Sequence, residues 1–82
     1  MMGVFIDTNV FLDYIQQRPE GWKEAEVIFF LAIHGDILQY FAAEQAGADC
    51  VVTRNLKDFG FTLATEALEP NVFLSKYFPE EL

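Results

Sequence analysis

The sequence predicts an α/β fold: a short parallel sheet of about three strands, with helices on both faces, in a small three-layer arrangement. Three observations point there. "VFI" (Val4–Ile6) and "CVVT" (Cys50–Thr53) are short, continuous apolar runs of the kind that suit strands buried on both faces. Stretches with helical periodicity stand between them, as the crossover connections of a parallel sheet require. The chain is 52% hydrophobic over 82 residues and includes nine Phe, far too apolar for a disordered segment.

The elements follow in order. Gly3 and Asp7 bound the first strand, and Asp7 or Thr8 can cap a helix through "NVFLDYIQQ", where Phe11, Tyr14 and Ile15 share a face. "RPEG" (Arg18–Gly21) breaks that helix, because proline cannot continue it and glycine frees the turn. "WKEAEVIFFLAIH" (Trp22–His34) is the second helix. Trp22, Ala25, Phe29, Ala32 and Ile33 lie along one face, and enough of the rest is apolar to bury it on two sides. Gly35 ends it, and Asp36 can cap a third helix, "ILQYFAAEQA" (Ile37–Ala46), which Gly47 closes. Cys50–Thr53 is the second strand, "RNLKDFGF" (Arg54–Phe61) a loop of turn formers, and "TEAL" (Thr65–Leu68) a third, short strand. Pro70 then opens a terminal helix through "NVFLSKYF". With no repeats, no low-complexity segment and no internal linker, residues 1–82 read as a single domain.

Five basic residues against thirteen acidic ones give a net charge of -8. The basic stripe of a typical nucleic-acid binder is missing, and the acidity suits divalent cations, a basic partner or solubility. The single Cys50 leaves no disulfide framework, which fits a reducing compartment such as the cytoplasm. No run of about 18 apolar residues is present to cross a membrane, and the N-terminus lacks a signal peptide's basic flank.

In open parallel sheets, ligands bind outside the carboxyl ends of the strands. Asp7 directly follows the first strand, and Asn55 and Asp58 follow the second. They converge if those strands are neighbours, and Asp36 joins them if its helix starts near the same edge. Three or four oxygen ligands in one cleft would suit Mg²⁺ or Mn²⁺ with substrate phosphates. Each residue also has a plain structural reading: Asp7 and Asp36 as helix caps, Asp58 and Asn55 as turn residues. His34 suits a helix C-terminus, Cys50 a core position, and Trp22 with Phe29 and Phe30 core or interface.

"FIDTNVFLDYI" resembles the opening strand and helix of PIN-domain nucleases. "DILQYFAAEQAGADCVVTRNLKDF" (Asp36–Phe59) is similar to that family's C-terminal half, and "ALEPNVFL" (Ala67–Leu74) to its closing strand and helix. These segments cover most of the chain in the family's order. The resemblance implies metal-dependent cleavage of RNA, by water activated on Mg²⁺ or Mn²⁺, and a VapC-like toxin with a cognate antitoxin. Asp7, Asp36 and Asp58 match catalytic metal-binding acids, with Asn55 as a further ligand and Thr8, Asn9 and Thr53 in support. Arg54 and Lys57, and Lys23 beside them, could touch phosphates or simply carry solvated charge.

The chain also departs from the family. Between the second helix and the acid-x-Leu-Gln helix, PIN domains carry a further strand and helices, one of which supplies a second acid, a glutamate. Here "AIHGDILQ" passes straight from one element to the next, as in a truncated or minimal PIN-like domain. The remaining acids are Asp13, Glu24 and Glu26, of which Asp13 lies one turn after Asn9 on the same helix face. Two functions follow: a compact ribonuclease, or a catalytically inactive binding or dimerisation module. Loss of the flanking strand would also leave the first strand as an exposed apolar edge, and a homo-oligomer would cover it.

Overall fold

The computed structural model describes residues 2–19, 21–40, 48–58 and 66–81. Its elements are β1 (Met2–Ile6), α1 (Thr8–Gln16), α2 (Trp22–Ile33), β2 (Ile37–Tyr40), β3 (Cys50–Val52), β4 (Glu66–Leu68) and α3 (Pro70–Tyr77). Two 3₁₀ turns, Leu56–Asp58 and Pro79–Glu81, complete them. All four strands are parallel, in the order β2-β1-β3-β4. The α/β class and the short parallel sheet are as the sequence predicts, with four strands rather than about three. No described helix is long and apolar enough to cross a membrane.

Side chains alternate across the sheet, so the register assigns each residue to a face. Val4 pairs with Cys50 and Ile6 with Val52, and all four are buried in one cluster with Ile37. Val10 of α1, Ala25, Ile28, Phe29 and Leu31 of α2, and Phe73 and Leu74 of α3 complete that cluster. On the opposite face, Phe5, Val51 and Ala48 are buried together, with Tyr40 and Ala67 against them. The central strands β1 and β3 are therefore buried on both faces, while Leu38 of β2 remains 49% exposed. The helix α2 is apolar on more than one side, as its sequence predicts, yet Phe30 and Ile33 stand in solvent.

The main correction concerns the stretch after Gly35. Gly35 takes φ +80°, its N–H donates to Ala32 O at 3.2 Å, and the Asp36 N–H donates to Leu31 O at 2.9 Å. These two bonds form the Schellman closure of α2, and its left-handed position favours glycine. Asp36 is thus spent on ending α2 and does not cap a new helix. Residues 37–40 run extended beside β1, with Met2 level with Ile37 and Phe5 level with Tyr40. The remainder of the expected third helix, 41–46, lies outside the described residues.

This strand also overturns the expected exposed edge. With β2 on one side and β3 on the other, β1 is an interior strand, and the edges are β2 and β4. An unpaired apolar strand is costly to leave open, and the nearest segment able to extend has covered it. At the far end of β1, the Gly3 N–H donates to Asp49 Oδ2 at 2.7 Å and Gly3 O accepts the Asp49 N–H at 2.7 Å. That double contact sets the register of β3 against β1. Any side chain at Gly3 would overlap the Tyr40 ring.

Candidate functional site

The chain leaves β1 toward β2 on one side, whereas β4, the next strand after β3, lies on the other side. Adjacent parallel strands whose continuations diverge open a crevice at their carboxyl ends, the usual ligand position in such sheets. Asp7 stands at that point. Its N–H donates to Val52 O at 3.0 Å, continuing the ladder one residue past the strand. Asp7 occupies the N-cap position of α1 but makes no side-chain capping bond. Its Oδ2 instead accepts the Thr53 hydroxyl at 2.7 Å, and Thr53 Oγ1 accepts the Asn55 N–H at 2.9 Å. Thr53 is fully buried. The carboxylate is therefore turned across the crevice to β3 and does not cap α1.

Asn9, the second residue of α1, keeps Oδ1 buried without a protein partner. Thr8 begins α1 and is exposed. Lys57 is exposed in the 3₁₀ turn that Asp58 ends; the Asp58 side chain lies outside the described residues.

The structure adds a partner for Arg54 that the sequence did not show, the buried Asp13. The Asp13 side chain is 1% exposed, and Arg54 holds it with both arms of its guanidinium: Nη2 donates to Oδ1 at 2.9 Å, and Nε meets Oδ2. Arg18 Nη1 adds a third contact at 3.9 Å. Such a fork is the strongest geometry for a carboxylate and a guanidinium. Arg54 is thereby tied to the fold before any phosphate arrives. The sequence points to Phe11, Tyr14 and Ile15 as the apolar face of α1, whereas the structure buries Val10 and Asp13 and leaves those three exposed; the partner of Asp13, 41 residues away, was not legible locally.

Beside this pair lies an open cavity of about 400 Å³, lined by Gly21, Glu24, Arg54, Glu69, Pro70 and Asn71. With the charge of Arg54 matched by Asp13, the two glutamates leave the cavity acidic.

Asp36 does not join this edge. It immediately precedes Ile37, which is level with Met2, whereas Asp7 follows Ile6. Parallel strands advance ~3.3 Å per residue, so Asp36 and Asp7 lie about 20 Å apart along the sheet. No group of three His, Cys, Asp or Glu among the described residues could hold a metal ion. The expected set of Asp7, Asp36 and Asp58 is split between opposite ends of the sheet. Asp13 is paired with Arg54, and Glu24 and Glu69 line the neighbouring cavity. Among the described residues the expected three-acid metal centre is not assembled.

Burial, then the charges of Glu66 and Asp49, push the Cys50 thiol up to about 11. Hydrogen bonds from Lys76 and then Tyr77 hold the Glu66 carboxyl below its ordinary value. The same contact raises Lys76, tying β4 to α3 at 2.5 Å. No protein-family model, curated protein or solved structure matches the chain.

Proposed function

We propose that the chain is a PIN-like module that acts by binding a partner and does not cleave RNA. One observation carries this reading: the parallel register sets Asp36 at the opposite end of the sheet from Asp7. The crevice then retains a single described carboxylate without a cationic partner, against the several oxygen ligands a catalytic Mg²⁺ or Mn²⁺ centre gathers. A cognate antitoxin in the cytoplasm is the partner the PIN resemblance implies. The net charge of -8 and the cavity lined by Glu24 and Glu69 suit a basic segment of such a protein.

A second reading, the metal-dependent ribonuclease, is favoured by the orientation of Asp7. It would place Mg²⁺ or Mn²⁺ on Asp7, Asn55 and Asp58, with RNA as substrate. Thermal melting under Mn²⁺ titration separates the two, because a ligand of the native state raises stability by mass action. The binding-module reading predicts the same response from wild type and Asp7→Asn, and no Mn²⁺-dependent cleavage of a mixed RNA pool. A saturable rise in melting temperature that Asp7→Asn abolishes, accompanied by cleavage, would overturn it in favour of the nuclease. An oligo-arginine peptide is the positive probe. It should bind wild type and lose most of its affinity for Glu24→Lys/Glu69→Lys; equal binding to both would exclude the cavity as the site.

A further inference from the structure

We infer that the outer face of α1 and α2 is a self-association surface, on which a second copy of this chain docks. The inference is independent of whether the carboxyl edge binds a metal or a basic partner. The two helices pack together around Phe29, whose ring lies 5.7 Å from Phe11 in an edge-on contact and 5.3 Å from Tyr14. On the same two helices Phe11, Tyr14, Ile15, Phe30 and Ile33 have 44%, 36%, 56%, 52% and 78% of their surfaces exposed. At ~150–250 Å² per large side chain, these five leave roughly 500 Å² of apolar surface in water, near the upper end for a monomer's largest patch.

The area favours a second copy. A symmetric pairing puts the same patch on both sides, so the apolar centre alone would bury about 1,000 Å² in total. That is the threshold for a specific interface, before any polar rim is counted. Two helices facing two helices also reproduce four-helix packing, in which apolar stripes close on one another.

The charge distribution allows this contact despite the net charge of -8. From Val27 to Ile33, α2 carries no charged residue. On α1 the one acid, Asp13, is buried on the inner side in its ion pair. Two copies can therefore meet here without opposing carboxylates at the centre. Gln16, Glu26 and His34 supply a polar rim, with the His34 ring stacked on Phe30 at 4.1 Å.

Sedimentation velocity over a hundredfold range of concentration tests the inference. Wild type should show a concentration-dependent dimer. Ile33→Glu and Phe30→Glu should each shift the dissociation constant at least tenfold toward monomer, with unchanged circular dichroism because both side chains are exposed. Val72→Glu, an exposed apolar position on α3, is the control and should dimerise like wild type. A wild type that stays monomeric throughout would overturn the inference. So would a dimer that survives both α2 substitutions, since its interface would then lie elsewhere. None of these outcomes depends on Mn²⁺ binding or RNA cleavage, so the surface and the proposed function fail separately.

Discussion

Arg54→Met should be among the most destabilising changes at the carboxyl edge, because it leaves Asp13 charged, buried and poorly paired. Removing one partner of a fully buried ion pair costs about 3–5 kcal/mol. The Asp13 side chain is 1% exposed, but Arg54 is 33% exposed and Arg18 remains at 3.9 Å. Solvent screening and that second cation bring the expected cost down to about 2–3 kcal/mol. For a domain of this size that is a fall of roughly 10–20 °C in melting temperature. Replacing both partners removes the buried charge itself, so Asp13→Leu/Arg54→Met should recover to within about 1 kcal/mol of wild type. Urea unfolding of wild type, both single variants and the double variant gives the coupling energy directly. A cost below about 0.5 kcal/mol for Arg54→Met, or a double variant as unstable as the single ones, would refute a structural role for the pair. Arg54 would then be free for the phosphate contact that its sequence context suggests.

The remaining predictions concern the closure of α2, the buried thiol and the tie between β4 and α3. Gly35→Ala forces a side chain into the left-handed closure of α2 and should cost about 1 kcal/mol or slightly more in urea unfolding, whereas Gly35→Asn should cost less. Cys50 should resist a thiol reagent at pH 8 in the native protein and react at once in urea. Because its folded value is raised from 9.0 to about 11, its contribution is complete below pH 9 and lost as pH climbs toward 11. Wild type should therefore lose more stability over that interval than Cys50→Ala does; equal losses would count against the burial account. Glu66 is lowered and Lys76 raised, so their contact operates above the ordinary carboxylate value of 4.5 and below the ordinary amine value of 10.5. Lys76→Met should consequently alter stability less at pH 3 than at pH 7, and less in high salt than in low.

What the sequence disclosed depended on how local each signal was. Pro70 opens α3, Gly35 closes α2, and the apolar runs at Val4–Ile6 and Cys50–Val52 are strands, all determined within a few residues. Residues 37–40, "ILQY", suit either a helix start or a half-buried strand. The choice was settled by the open side of β1, which no short window shows. The expected β1 edge failed for the same reason, although the rule that apolar edges become covered could have pointed to this segment. Asp7 was legible because a strand-ending acid beside a parallel neighbour needs only the fold class, and Thr53 does meet it across the crevice. Asp36 was misplaced through the misread helix. The Asp13–Arg54 pair joins residues 41 apart and emerges only once β3 lies beside β1.

The central claim is that the sheet separates the acids, leaving the carboxyl edge without a metal centre. Paramagnetic broadening of backbone amide resonances by Mn²⁺ tests it most directly, because the ion reports its own position. The account predicts weak, unsaturable broadening spread over exposed acids such as Glu24, Glu69 and Asp36. Saturable broadening centred on Asp7, Thr53, Asn55 and Asp58, and lost in Asp7→Asn, would contradict it.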